Sequence, residues 1–335
     1  NGGIIKSLGS NARTGSGEWV VAEADESDGS FVKLPATIGI VTNIDPEHLD
    51  YYQSFDNLKA AFQTFIENLP FYGLGVLCWD HPETQALARR IYKRRLVTYG
   101  QTEGADVHFA RVALSAKNCA FTLTFSEKVQ ATLNLNQETA DFTLSMIGLH
   151  NISNAVAAII VALYIGIPLS QIQESLTTFA GVGRRFTQVG VVNGLTIIDD
   201  YAHHPVEIQK TLEAAKLTTQ GKVIAIVQPH RYSRLRHLMD EFATALEFAD
   251  QILVTPVYAA GETPLPGVSS EKLVEKIKQK PASILSSYED LIQHLRLAQK
   301  GDIAVFMGAG SITKWAHDSF HTLTTLHKEQ LTQAV

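Results

Sequence analysis

The stretch TIIDDYAHHPVEIQ (196–209) sets two acids, a tyrosine and two histidines directly behind an apolar run. Imidazoles and carboxylates so close together suit a metal site, an acid–base cluster, or only the polar end of a strand. Pro205 is well placed as a first helical residue, and Glu207 falls in the first turn, where the helix dipole favours an acid. Asp200 to His204 are therefore predicted to form a strand-to-helix loop and not a zinc cluster. Asp199 would finish the strand, and His204 would act as a cap. A second cluster lies in VQPHRYSRLRH, where His230, Arg231, Arg234 and Arg236 fall between a strand and a helix start. Cations there oppose the helix dipole at about 0.3–1 kcal/mol each. A local rule broken several times in one short stretch points to an anion, because arginine forks match carboxylate and phosphate. Arg184 and Arg185, in AGVGRRFTQVG, pose the same choice between solvated arginines and anion ligands.

Acids gather elsewhere. VVAEADESD supplies Glu23, Asp25, Glu26 and Asp28, and VTNIDPEHLD supplies Asn43, Asp45 and His48. Oxygen-rich strand ends suit Mg²⁺, which takes one or two carboxylates and leaves other positions to water and phosphate. A solvated acidic loop is the plainer alternative, and His48 is a poor match for so hard an ion. Asp45 and Pro46 also read as an N-cap and first helical residue. In MIGLHNISNAVAAI, His150, Asn151 and Asn154 stand at a helix start, where an asparagine either caps the helix or faces a base. Two glycine motifs, GVGRRF and FMGAGSITK, invite a nicotinamide reading. The first follows a helix, and too little chain follows the second for a complete βαβ unit, so neither supports it. No serine or cysteine sits in a G-x-S-x-G elbow.

These residues need strand ends to carry them. EWVVAEAD, TIGIVTNID, GLGVLCWD and RLVTYG read as buried parallel strands, and SFDNLKAAFQTFIENLP as a helix with Phe55, Leu58, Phe62, Phe65 and Ile66 at helical spacing. VHFARVAL, CAFTLTF and VQATLNLN read as an antiparallel meander. Helices are predicted over about 151–163 and 170–179. The Gly-rich 180–190 is the expected linker between domains 1–180 and 181–335. Beyond it LTIID, KVIAIVQ, QILVTPV, ASILSS and DIAVFMG alternate with helical segments, implying an open parallel sheet with ligands beyond its carboxyl edge. The fold class is α/β in both halves.

With 335 residues, 45% apolar and 19% charged, the composition is that of a globular protein with room for two cores. A net charge of −6 gives no general attraction to nucleic acid or anionic membrane. Cys78 and Cys119 have neither zinc spacing nor close pairing, which suits a reducing compartment. The longest apolar run, 155–167, is shorter than the roughly 20 residues needed to span a bilayer.

In order, EADESDGSF, TNIDPEHLDYY, NLPFYG, GLHNISNA, GRRF, DDYAHHP, QPHRYSR, YAAGETPLPG and MGAGSI resemble the Mur ligase family over essentially the whole chain. The resemblance implies a central ATPase domain (a mainly parallel sheet plus a small antiparallel one) and a Rossmann-like doubly wound C-terminal domain. It also implies a bacterial cytoplasmic enzyme of peptidoglycan synthesis that uses ATP and Mg²⁺. Its alanine-adding branch joins L-alanine to the lactyl carboxylate of UDP-N-acetylmuramate through an acyl phosphate. Glu23 and His48 would then hold magnesium. His150, Asn151, Asn154, Arg185 and Asp200 would contact the nucleotide. Tyr201, His203, His230, Arg231 and Arg234 would surround alanine and the sugar carboxylate, with Arg185, His203 and His230 serving catalysis. Phe62 stands where later-acting members carry a carbamylated lysine, which fits the alanine branch. No G-x-x-G-K-[ST] phosphate loop is present and the chain opens without Met, so a preceding UDP-binding domain and that loop are expected to be missing. Without that loop's lysine the chain alone is expected to show no ligase turnover above blank. Rival readings are a tripeptide-recycling ligase of the same family, a folate polyglutamate ligase, and a non-catalytic nucleotide-binding module.

Overall fold

The structure is a computed structural model that describes residues 2–115 and 118–333. The chain divides into two compact units, Asn1–Ala180 and Gly181–Val335.

The first unit runs β1 (Ile38–Val41), α1 (Leu49–Tyr52), α2 (Phe55–Glu67), β2 (Leu74–Cys78), α3 (Pro82–Arg90) and β3 (Leu96–Gly100). It continues with β4 (Val107–Leu114), β5 (Cys119–Phe125), α4 (Glu127–Leu133), β6 (Thr139–Leu144), α5 (Leu149–Tyr164) and α6 (Leu169–Thr178). The strands form one sheet in the order β1-β2-β3-β4-β5-β6, parallel from β1 to β4 and antiparallel from β4 to β6. The expected antiparallel portion is therefore an extension of the parallel sheet, with β4 common to both. Alternation along β2 splits the core between two faces. Leu74 and Val76 face α5 residues such as Ile152 and Ile159, whereas Leu77 joins Leu58, Phe65 and Ile66 of α2.

Three sequence expectations differ here. EWVVAEAD forms no strand, and Val20 and Val21 are 90% and 93% exposed. An apolar run becomes a strand only where a neighbour pairs its backbone, and none of the described strands does so. Most of VQATLNLN, up to Asn134, falls in α4 and its C-cap, because Ser126 accepts from Val129 N–H, Glu127 favours the first turn, and Asn134 ends the helix in the left-handed conformation. The meander's third strand is instead β6. Asp45 and Pro46 start no helix, since α1 begins at Leu49 with His48 as N-cap.

In the second unit β7 (Thr187–Val192), β8 (Leu195–Asp200), α7 (Pro205–Thr218), β9 (Val223–Val227), α8 (Tyr232–His237), α9 (Met239–Leu246) and β10 (Gln251–Val254) come first. They are followed by α10 (Ser270–Lys276), β11 (Ala282–Ile284), α11 (Tyr288–Leu295), β12 (Ile303–Met307) and α12 (Ile312–Gln333). The sheet order is β11-β10-β9-β12-β8-β7, with every pairing parallel except β7 with β8. The end of the expected linker thus forms an edge strand, β7. Val223, Ala225 and Val227 of β9 face α7 and α9, while Ile224 and Ile226 face α11 and α12. Helices on both faces make it the expected doubly wound sheet.

Candidate active site

The carboxyl edge of the second sheet carries most of the chemistry. Asp199 and Asp200 close β8, and α7 begins at Pro205, so residues 201–204 form the predicted strand-to-helix loop. His204 caps α7: its ring accepts from Val206 N–H, and Glu207 accepts in return from the His204 N–H. Asp199 is buried and accepts from the Thr313 hydroxyl at 2.6 Å, and Arg184 lies 3.8 Å away. Asp200 is only 5% exposed, and both its oxygens are used inside this unit, accepting from Phe186 N–H (2.6 Å) and Ala202 N–H (2.8 Å). Burial pushes its carboxyl up to about 6, against the pull of those two N–H groups and of Arg185. Its position is that of a staple holding the Arg184–Phe186 segment against the end of β8, not of a group presented to solvent.

Rings and cations line up beside that staple. The Arg184 and Arg185 guanidinium carbons lie 4.7 Å and 5.6 Å from the Tyr201 ring centroid. Tyr201 meets His203 edge-on at 5.2 Å, His203 meets His230 at 6.0 Å, and His230 stacks on Tyr258 at 5.3 Å. The His230 backbone bridges to Tyr258, and Arg231 N–H donates to the Tyr258 carbonyl at 2.9 Å. Burial, reinforced by the charges of His203, Arg234 and Arg231, pulls the His230 ring down to about 4. It is therefore neutral at neutral pH, and its buried Nδ1 has no hydrogen-bond partner among the described residues. Arg184, Phe186 and Arg231 all adopt positive φ, at 58°, 46° and 69°. Such backbone conformations are costly for side-chain-bearing residues and gather where geometry is imposed by function.

The sequence places the arginines between a strand and a helix start, whereas two of them lie within a short helix. In α8, Arg231 is the N-cap, while Arg234, Arg236 and His237 occupy the last turn. There the dipole favours cations, so the expected conflict does not arise for them. An acid from another loop serves the amino end instead. Glu262 accepts from Ser233 N–H at 2.9 Å and from the Ser233 hydroxyl at 2.5 Å. Tyr258 and Glu262 were both in the motif YAAGETPLPG without an assigned role, since only the tertiary fold brings that loop to residues 230–234.

In the first unit the segment before β1 and the loop after it gather a different set. Glu26, Glu47 and His48 bring ligand atoms within 4.8 Å of one another. His48 Nε2 lies 3.4 Å from Glu26 and 4.0 Å from Glu47. The hydrogen bond from His48 holds the Glu26 carboxyl below its usual range despite burial. Glu23, expected beside His48, is exposed and accepts from Gly2 N–H, so this cluster does not contain it. Asp25 and Asp28 accept from the local N–H groups of Ser27 and Ser30, whereas Asn43 donates to Asp45 at 2.6 Å. At the start of α5, Gly148 is the N-cap with φ 107°, and the His150 ring folds back to within 2.8 Å of where a Cβ on Gly148 would stand. Asn151 does not cap the helix; its side-chain amide donates to the Ile147 carbonyl at 2.7 Å, and Asn154 is exposed one turn on. Phe62 packs on Phe31 at 5.1 Å, an ordinary core contact. Cys78 and Cys119 are buried free thiols. No helix among the described residues is long and apolar enough to cross a membrane.

Residues 5–162 match the Mur ligase middle domain, and residues 184–310 match the Mur ligase glutamate ligase domain. A UDP-N-acetylmuramate–L-alanine ligase of Brucella anthropi is 53% identical over 322 residues, covering 95% of this chain and 68% of the relative. The chain belongs to the Mur ligase family. That makes it a member of a family of ATP-dependent ligases. The enzyme of the same name from Agrobacterium fabrum is 51% identical, over 94% of this chain and 67% of its own. Among solved structures, the UDP-N-acetylmuramate-alanine ligase of Thermotoga maritima matches with a TM-score of 0.77 and 26% identity, over 97% of this chain and 68% of its own. A MurF ligase from Thermotoga maritima in complex with ADP shares the fold at a TM-score of 0.68 and 18% identity, over 88% of this chain and 63% of its own.

Proposed function

We propose that the chain carries the nucleotide-handling and amino-acid-handling parts of an ATP-dependent ligase joining L-alanine to the lactyl carboxylate of UDP-N-acetylmuramate, in the bacterial cytoplasm. The observation that carries this reading is the line of Arg185, Tyr201, His203 and His230 with Arg231 and Arg234, in a chain about half identical to alanine ligases. Alanine arrives as a zwitterion, and the sugar as a carboxylate. The arginines supply anion partners, and the neutral His230 ring supplies an acceptor for an amino group.

Phosphorylation of a carboxylate by ATP is catalysed chiefly by positioning and by cations that meet developing charge. Arg185 is the residue we assign to the phosphates, and the Asp200 staple fixes the segment that bears it. Asp200 thus serves the nucleotide through Arg185 and not by direct contact. His150, Asn151 and Asn154 are the polar groups we assign to the adenine side, at the start of α5. The two carboxylates of Glu26 and Glu47, with His48, suit a divalent ion; bound there, Mg²⁺ would neutralise phosphate charge. The imidazole is the softer member of that set, so the carboxylates would do most of the holding.

The test is phosphate release by the complete gene product with ATP, Mg²⁺ and UDP-N-acetylmuramate. We expect turnover with L-alanine at least about tenfold above that with a preformed tripeptide, since one lost ammonium or carboxylate contact is worth roughly 1.5–3 kcal/mol. Preference for the tripeptide would assign the chain to the recycling branch. No turnover with either would leave a nucleotide-binding module.

A further inference from the structure

One carboxylate touches both Arg185 and His203. Glu207 Oε1 lies 3.5 Å from Arg185 Nη1, and Oε2 lies 3.2 Å from His203 Nδ1. The same Oε2 accepts from the N–H groups of His203 at 3.0 Å and His204 at 3.3 Å. We propose that Glu207 is a positioning residue that fixes the Arg185 guanidinium and the His203 imidazole in one mutual geometry, so that they meet the charges of the reaction as a unit. The proposal rests on the assignment of Arg185 and His203 to the ligase site.

Three features support it. An arginine side chain carries roughly 2 kcal/mol of rotamer entropy, and one already clamped loses less of it when an anion arrives. His203 Nδ1 faces two acceptors, the Tyr201 carbonyl at 3.0 Å and Glu207, so this nitrogen carries the proton and Nε2 is left for substrate. The charged groups around Glu207 are those of the site itself: Arg185, His203 and, more distantly, Asp200. Burial alone would push the Glu207 carboxyl up, yet His203 and Arg185 outweigh it and hold the group at about 2, so it stays ionised through the working pH range. The helix itself gains only about 0.3–1 kcal/mol from an acid in its first turn, and glutamine completes a capping box as well as glutamate does.

That equivalence provides the test. In the complete gene product, Glu207→Gln can keep the capping box while it removes the charge and puts an NH2 donor in place of the oxygen that faces Arg185. We expect kcat/KM for L-alanine to fall roughly ten- to hundred-fold, with the melting temperature within about 2 °C of wild type. In a His203→Asn background the same change is expected to cost several-fold less than in wild type, because one of the two groups that Glu207 positions is gone. Unchanged kcat/KM in Glu207→Gln overturns the proposal, as does an equal loss in both backgrounds or a loss matched by a fall in melting temperature. If His203→Asn and Arg185→Lys themselves keep full turnover, the ligase-site assignment fails and takes this proposal with it. If they lose turnover and Glu207→Gln does not, the site stands and only the positioning role is wrong.

Discussion

Replacing His230 by Phe is expected to lower kcat/KM for L-alanine by roughly ten- to hundred-fold, carried mainly by KM, with little change in thermal stability. The expectation follows from the protonation state. Burial and the nearby charges of His203, Arg234 and Arg231 hold the ring at about 4, so at neutral pH it is an uncharged acceptor. A base of that strength is poorly matched to removing a proton from an ammonium near pH 7, since general bases work best with a pKa near the operating pH. In the role proposed for it, accepting a hydrogen bond from a charged donor, it would contribute roughly 1.5–3 kcal/mol, which corresponds to the stated range. Phe keeps the stack on Tyr258 and replaces a buried Nδ1 that has no partner among the described residues, so the fold has little to lose. Steady-state kinetics with varied alanine distinguish the two roles. A loss confined to kcat would mark His230 as a proton-transfer group, and an unchanged kcat/KM would remove it from the substrate site.

How much of this was readable beforehand depends on the kind of interaction involved. The strands β8, β9 and β12 were legible because both their faces are buried, which leaves continuous apolar runs that no other context explains. The loop 201–204 was legible because Pro205 and Glu207 are local signals of a helix start. Val20 and Val21 misled for the converse reason: the pattern of a strand says nothing about whether a partner strand is there to pair with it. VQATLNLN was ambiguous at the level of period, and its Ser126 and Asn134 caps decided for helix. In the site, residue types were visible but their partners were not. Asp200 reads as a ligand in sequence and is a backbone staple in space. Glu207 reads as a helix-dipole residue and also clamps Arg185 and His203. Glu26 and Glu47 take the places beside His48 in the acidic cluster, a choice that depends on loop paths no spacing rule encodes.

The same buried groups make a second prediction, on stability against pH. Asp200 has a raised pKa, from 3.8 to about 6. Its contribution is therefore fully present below pH 3.8 and is lost as pH rises through 6, a change on the order of 3 kcal/mol for a group this buried. His230 is shifted the other way, from 6.5 to about 4, so its contribution is present above 6.5 and is lost as pH falls through 4. The two windows overlap with opposite sign, and His230, being only partly buried, offsets Asp200 in part. The wild-type melting temperature is therefore expected to vary little between pH 4 and 6.5. Asp200→Asn removes one side of this balance. It also puts an amide against two N–H donors where a carboxylate accepted both, so its melting temperature at pH 5 should lie below that of wild type. Above pH 6.5 the variant no longer carries the cost of a buried charge, and the gap to wild type should narrow. Melting curves of both proteins from pH 4 to 8 check this: a gap that stays constant, or widens with rising pH, would show that Asp200 is ionised without strain and that its burial is compensated by the N–H groups of Phe186 and Ala202 alone.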